Sequence, residues 1–228
     1  MNFFLGIIFK SCIIKKVIFV DNNLINNNVA IENTINVEDK LRSDMYSFIA
    51  NLIRTEPNIK LINSIKNLEG DDSPIGKSIK LLTKLSTNLP INEIHDEYVR
   101  LFIGVGRGEL LPYSSYYLTG FLNDKPLSRL KDDMGLMGIV RKENVKEPED
   151  HISSLFDIMS GMIVGSFDKI FSLKEQSDFF EKHINPWAHL LMLDIETSKS
   201  AVFYVPVGTI GKEFIQIERD VFRMGNPG

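Results

Sequence analysis

Apolar residues recur at spacings of three and four along most of the chain after Asn36, which is the pattern of helices with one buried face. Asn36 itself is a typical helix cap, and the first such stripe follows it directly. That stripe consists of Val37, Leu41, Met45, Phe48, Ile49 and Leu52. We find no run of alternating apolar and polar residues bounded by turns, which would indicate a strand. The pattern therefore predicts an all-α protein with about nine to eleven helices.

Helix-breaking residues divide this helical pattern. Pro57 ends the first helix, and Ser73 followed by Pro74 is typical of a capped start with proline in the first turn. The last helical stretch contains Pro206, Gly208 and Gly211, which should bend or weaken it. The charged segment 141–148 has only one apolar residue, so a boundary between two parts of the chain is expected there.

The first residues differ from the rest of the chain. Their apolar runs are interrupted by Lys10, Lys15 and Lys16, so no run reaches the roughly 18 residues of a membrane-spanning helix. The order of charge and apolar residues is not that of a signal peptide. We favour a misassigned start codon or a loose tail. The alternative is a membrane anchor. We expect a poorly ordered extension over 1–35, a helical domain over 36–228 and no stable membrane insertion.

Composition narrows the function classes. The 228 residues are 43% hydrophobic and carry a formal net charge of -4, which argues against general nucleic-acid binding. A single cysteine, Cys12, cannot form an internal disulfide or a cysteine-rich zinc site. This cysteine usage fits a reducing compartment such as the cytoplasm.

Motifs for phosphate, metal and nucleophilic chemistry are incomplete. The glycines of "GVGRGE" follow a helix and lack the third dinucleotide position, and "GTIGKE" lacks the first glycine and the Ser/Thr of a phosphate loop. No two histidines have the spacing of ligands on one helix face. The four histidines are His95, His151, His183 and His189. We therefore expect no metal site and no local catalytic signature.

The stretch "KEPEDHISSLFDIM" is the strongest candidate for chemistry, because it places Glu147, Glu149, Asp150 and His151 just before an apolar run. If Pro148 is the first helical residue, Glu149 and Asp150 face the positive end of the helix dipole, which stabilises each by about 0.3–1 kcal/mol. That interpretation leaves Glu147 and His151 unexplained. The alternative is a helical hydrolase or nucleotide-using enzyme that acts through Glu149, Asp150 and His151.

Four segments together resemble the TorD/DmsD family of cytoplasmic redox-enzyme maturation chaperones. They are "HDEYVRLFIGVGRGELLPYSSYYL", "EPEDHISSLFDIM", "FFEKHINPWAHLL" and "AVFYVPVGTIGKEFIQIE". The resemblance covers roughly Val37 to Phe222. It implies an all-helical chaperone, not an enzyme, which binds the twin-arginine signal peptide of a molybdopterin oxidoreductase precursor and delays export until the cofactor is inserted. It also implies no cofactor except weak guanine nucleotide binding in some members, and a monomer or domain-swapped dimer.

A twin-arginine peptide needs carboxylates beside an apolar groove. The resemblance places Asp150 and His151 in the signal-peptide-binding motif, on a hinge near residues 141–150. Glu147 and Glu149 add carboxylates for the arginine pair, so we expect all four residues to form the site. Four aromatic residues are expected to wall the groove: Tyr98, Tyr113, Tyr116 and Trp187. For Trp187 we favour packing in the core over contact with the peptide. Arg100 either contacts the peptide or pairs with a buried carboxylate, and Pro148 has a structural role at the hinge.

Overall fold

The computed structural model describes residues 35–141 and 147–225. These residues form ten α-helices and one π-helical turn, Val99–Ile103, which continues α4. The helices are α1 (Val37–Arg54), α2 (Ile59–Ile65), α3 (Pro74–Asn88), α4 (Ile91–Tyr98), α5 (Ser114–Thr119), α6 (Lys125–Leu136), α7 (Ile152–Val164), α8 (Leu173–His183), α9 (Ala188–Thr197) and α10 (Val205–Gly225).

The prediction of an all-α fold is confirmed, since these two ranges contain no strand and only one isolated bridge, between Tyr113 and His151. The number of helices lies within the predicted range. The expected loose extension, apart from its last residue, lies outside the described residues, as do Cys12 and residues 142–146 of the expected hinge. Within the described part of the chain, every helix is too short or too polar to cross a membrane.

Most helix starts follow from local side-chain caps. Asn36, Asn58 and Ser73 each accept a hydrogen bond from the backbone amide three residues later. Ser172 and Glu175 form a reciprocal capping box at the start of α8. Such caps satisfy amides that have no partner inside the helix, so these starts can be predicted from short stretches of sequence.

The core forms where α1 packs against α7 and where α10 packs against α9 and α3. Tyr46 of α1 is fully buried, and its ring meets Phe156 of α7 and Phe214 of α10 edge to face at 5.1 and 4.7 Å. Such aromatic contacts stabilise a core beyond the burial of their area. Because Tyr46 touches both partners, α1 joins the α7 side of the molecule to the α10 side.

A buried ion pair also connects α1 to α10. Arg42 of α1 donates from Nε and Nη2 to the two carboxylate oxygens of Glu218 in α10, at 2.8 and 2.9 Å. The Tyr46 hydroxyl donates to Glu218 as well, at 2.8 Å. Both charged side chains are buried, and Arg42 also pairs with Asp39 at 2.8 Å, so removal of Arg42 would leave Glu218 as an unpaired charge in the core.

The last helix differs from its prediction. α10 begins at Val205, so Pro206 lies in the first turn, where its missing amide costs no hydrogen bond, and residues 199–204 stay outside the helix. A Cβ atom at Gly208 would lie 2.5 Å from the Glu196 backbone nitrogen of α9. The glycine therefore permits the close approach of α9 and α10.

Candidate functional site

The acidic stretch before α7 is a turn and not the first turn of a helix. The expectation that Pro148 is the first helical residue is wrong, because α7 begins at Ile152 and His151 is its N-cap. The His151 backbone is extended, and its Nδ1 accepts from the Ser153 amide at 3.2 Å. The His151 amide closes the turn by donating to the Pro148 carbonyl at 3.2 Å. Glu149 and Asp150 therefore precede the helix.

Asp150 caps a different helix. Its carboxylate accepts from the Ser115 amide at 2.9 Å, in the first turn of α5. Its backbone carbonyl accepts from the Ser114 amide, and the Ile152 amide donates to the Pro112 carbonyl. Asp150 is only 1% exposed. This carboxylate therefore connects the turn to the start of α5 and is not presented to a ligand at the surface.

His151 also has a structural role. It is buried, and its ring meets the Tyr113 ring edge to face at 5.0 Å. Because Nδ1 accepts the Ser153 amide, the neutral ring carries its proton on Nε2. Burial, with a smaller effect of the Arg54 charge, lowers the pKa of His151 to about 4. His151 is thus neutral at physiological pH.

The residues of the alternative, enzymatic hypothesis do not converge. Asp150 binds the start of α5, His151 caps α7, and Glu149 turns toward cations of α6 and of the segment that follows it. No hydrogen bond or ion pair joins any two of these three side chains in the described residues. Among those residues, moreover, no group of three His, Cys, Asp or Glu side chains could hold a metal ion.

Glu147 is the exposed carboxylate of the turn. It accepts a hydrogen bond from the Tyr113 hydroxyl at 2.6 Å, and burial together with this bond raises the pKa of Tyr113. Tyr98 is nearly buried and donates to the Ile53 carbonyl at 3.3 Å. Burial and the charge of Glu147 raise the pKa of Tyr98 to about 12. Tyr113 therefore holds Glu147 at the surface, while Tyr98 belongs to the core.

A cleft of about 390 Å³ lies beside the turn, between α6, α7 and the end of α1. Its lining contains four charged side chains, and apolar side chains from α6, α7 and the segments that follow them. The charged ones are Arg54, Arg141, Glu149 and Asp157, and the apolar ones include Met134, Ile139, Val140, Ile158 and Phe167. Charged and apolar groups in one cleft of this size are typical of a ligand site. We call it the α6–α7 cleft.

Glu149 is the nearly buried carboxylate of this cleft, 9% exposed. Its ionic partners are Lys131 and Arg141, each 3.5 Å away, and its Oε2 atom has no hydrogen bond within the described residues. Asp157 forms an ion pair with Arg54, and both side chains are partly exposed. The cleft thus holds two carboxylates whose cationic partners reach in from its rim.

The other predicted residues lie elsewhere. Trp187 is fully buried, and its Nε1 donates to the His183 carbonyl at 2.8 Å, so it packs in the core, the interpretation favoured from the sequence, and does not wall a groove. Tyr116 packs under the Arg107 guanidinium, 5.0 Å from its ring centre, and does not line the cleft. Arg100 is exposed, and its side chain pairs with no carboxylate of the described residues. The buried arginine of the fold is Arg42.

Sequence reasoning missed two groups of residues. Glu97 of "EYVRLF" was not singled out, yet its carboxylate accepts three backbone amides, from residues 202–204, at 2.8, 3.0 and 2.8 Å. The position of Glu97 in one of the segments that resemble the family could have indicated its importance. Arg54 and Asp157, by contrast, lie 103 positions apart, so no local pattern could have indicated their ion pair.

Comparisons with known proteins agree with the fold. The chaperone protein TorD of Vibrio cholerae is 27% identical over 129 residues, which cover 51% of this chain and 59% of that protein. TorD of Vibrio atlanticus is 26% identical over 157 residues, which cover 64% and 71% respectively. The chain therefore spans less than two thirds of the first of these relatives.

A solved structure, of a candidate redox enzyme maturation protein from Archaeoglobus fulgidus, has the same fold. The similarity has a TM-score of 0.51 at 19% identity and covers 77% of this chain and 94% of that one. The family model described as nitrate reductase delta subunit matches residues 68–192, more than half of the chain. This chain accordingly belongs to the nitrate reductase delta subunit family, the TorD-like family that its motifs resemble.

Proposed function

We propose that this protein is a cytoplasmic maturation chaperone for a molybdopterin-containing oxidoreductase. It binds the twin-arginine leader of the immature enzyme and delays export while the cofactor is inserted, and it catalyses no reaction itself. The family and the two relatives named TorD support the chaperone class. The observation that supports the leader-binding role is that Glu149 is nearly buried in the α6–α7 cleft, with an Oε2 atom that accepts no hydrogen bond from the described residues.

Glu149 is a carboxylate removed from water without full hydrogen bonding. A nearly buried carboxylate is costly unless donors satisfy its oxygens, and the two cations at 3.5 Å are too distant for good hydrogen bonds. A guanidinium group could donate two parallel hydrogen bonds to it. Glu149 therefore has the acceptor capacity that an incoming arginine would use.

The resident cations can give way to such an arginine. The side chains of Lys131 and Arg141 are 52% and 42% exposed, so each regains water when it leaves Glu149. The charge of Glu149 then stays paired, because the incoming guanidinium takes the place of the cation that leaves. Asp157, with Arg54 at the rim, offers a second carboxylate for the second arginine.

The apolar part of the leader has a matching surface. Val140, which is 82% exposed, and the half-buried Phe167 line the cleft together with the buried side chains of Met134, Ile139 and Ile158. Burial of apolar side chains against them would stabilise the complex by about 25 cal/mol per Å². Asp150 and His151 act indirectly in this proposal, because they hold the turn that carries Glu149 and Glu147.

The test is calorimetric titration of the full chain with leader peptides of the molybdopterin oxidoreductases encoded in the same genome. Glu149→Gln should weaken binding of the best leader about tenfold or more, as for a hydrogen bond to a charged group. Replacing the arginine pair of that leader by glutamine should remove most of this difference.

The matched control is Glu69→Gln. Glu69 is an exposed glutamate between α2 and α3 that does not line the cleft, so its replacement should leave affinity unchanged. Failure of every leader to bind the wild-type chain would refute the proposed function. Equal affinity of the wild type and Glu149→Gln would remove Glu149 from the site.

A further inference from the structure

The α6–α7 cleft runs along the surface of α7. Ser154, Ile158 and Gly161 line it at spacings of four and three residues, so they form one stripe on the helix. The seven steps from Ser154 to Gly161 rise about 10 Å along the helix axis. The two ends of the stripe differ in chemistry.

The end near the start of α7 is charged. Glu149 lies in the turn just before the helix, with Arg141 on its carboxylate. Asp157 lies one turn into the helix, with Arg54 on its carboxylate. Glu149 therefore lies at the first end of the cleft, and Asp157 lies near its middle.

The end near the last turn of α7 is closed by an aromatic ring. A Cβ atom at Gly161 would lie 2.6 Å from a ring carbon of Phe167, so the ring rests directly on the helix backbone where only glycine leaves room. The chain turns back there through two residues with positive φ, Gly165 at 78° and Asp168 at 62°. Asp168 is a non-glycine residue in this region, which marks a tightly determined turn.

The Phe167 ring is therefore placed by its surroundings. It is half-buried, and it meets the buried ring of Phe171 edge to face at 6.4 Å. Phe167 is also one of the residues that line the cleft. An apolar side chain entering this end of the cleft would be buried against an aromatic face that is already held in position.

We infer that the bound leader runs parallel to α7, with its arginine pair at Glu149 and Asp157 and the apolar residues that follow the pair against Phe167. This inference rests on the proposed function. A twin-arginine leader places its arginines before its apolar segment, so only the parallel direction matches both ends of the cleft. Phe167 is then the residue that selects the apolar side chains next to the arginine pair.

The first experiment compares two peptides on the full chain: the best leader, and the same leader with the apolar residues just after its arginine pair replaced by serine. Phe167→Ala should weaken binding of the first peptide about tenfold and of the second less than about twofold. Phe121→Ala removes an exposed phenylalanine that lies outside the cleft, and it should change neither affinity. Thermal unfolding of both variants checks that they are folded.

Gly161→Ala provides a second variant that leaves the Phe167 side chain intact. The added methyl group must displace the ring, so it should reduce discrimination between the two peptides as Phe167→Ala does. If Phe167→Ala is folded and weakens both peptides equally, or neither, Phe167 does not select these residues and the inference fails.

The second experiment determines direction. A photo-crosslinking residue is placed in the leader either just before the arginine pair or within the apolar segment, and the attachment sites are mapped by mass spectrometry. We expect the apolar position to label Phe167 and its neighbours, and the other position to label the turn around Glu149. The reversed pattern would overturn the parallel direction while leaving leader binding itself established. If no leader binds the wild-type chain, the proposed function and this inference fail together.

Discussion

The Asp150 carboxylate accepts a hydrogen bond from the Ser115 backbone amide, 2.9 Å away, and so caps a helix that begins 36 positions earlier in the chain. This contact joins the segment "PYSSYY" to the segment "EPEDH". It also separates the roles of neighbouring acidic residues, because Asp150 is used inside the protein whereas Glu147 and Glu149 face its surface and its cleft.

Replacing Asp150 by alanine should therefore reduce stability. The variant loses the cap of α5, and we expect the free energy of unfolding to fall by about 1–2 kcal/mol. Urea unfolding followed by circular dichroism measures this change. Asp150→Asn keeps an oxygen that can accept from the Ser115 amide. The free energy of unfolding should therefore fall less in this variant than in Asp150→Ala.

A peptide-contact role for Asp150 makes a different prediction. In that case Asp150→Ala would weaken leader binding under conditions in which the variant is fully folded. An unchanged unfolding midpoint together with a large loss of affinity would contradict the capping role.

Stability should depend on pH through His151. Its pKa is about 4 in the folded protein, against an ordinary value of 6.5. Between these values the unfolded chain binds more protons, so the stability from neutral His151 is fully present above pH 6.5 and is lost as the pH falls toward about 4. The loss should reach about 2 kcal/mol at pH 5. Urea titrations at pH 7 and pH 5 measure it.

His151→Asn is the matched variant for this effect. Asparagine is a good N-cap and does not titrate, so the variant should show a smaller drop in stability between pH 7 and pH 5 than the wild type. Other groups that titrate in this range affect both proteins alike. Equal drops would mean that His151 is already protonated in the folded protein at pH 5.

Glu97→Gln should loosen the segment that leads into α10. The carboxylate accepts the amides of Val202, Phe203 and Tyr204, whereas glutamine offers one acceptor oxygen and turns donors toward the remaining amide. We expect a loss of about 1–3 kcal/mol in stability and faster amide exchange in residues 202–204. Hydrogen exchange with mass spectrometry tests this. Glu93→Gln, an exposed change on the same helix, should leave that exchange unaltered.

Local patterns predicted the helices well because their causes are local. The stripe from Val37 to Leu52 and the cap at Asn36 lie within a few turns of each other, and α1 forms there as expected. The start of α7 was predicted four residues too early, at Pro148. A proline in front of acidic residues is compatible with a first helical turn, but the contact between Asp150 and Ser115 favours an extended turn instead.

The sequence alone thus determined the all-α fold and, through its motifs, the family. Only the tertiary structure decided what each acidic residue does. Asp150, Glu97 and Glu218 are buried against amides or an arginine from distant parts of the chain, and Glu149 lines the cleft between α6 and α7. A carboxylate has the same chemistry in either setting. Its role is set by the donors and the water around it, and these are assembled by packing between residues that are far apart in sequence.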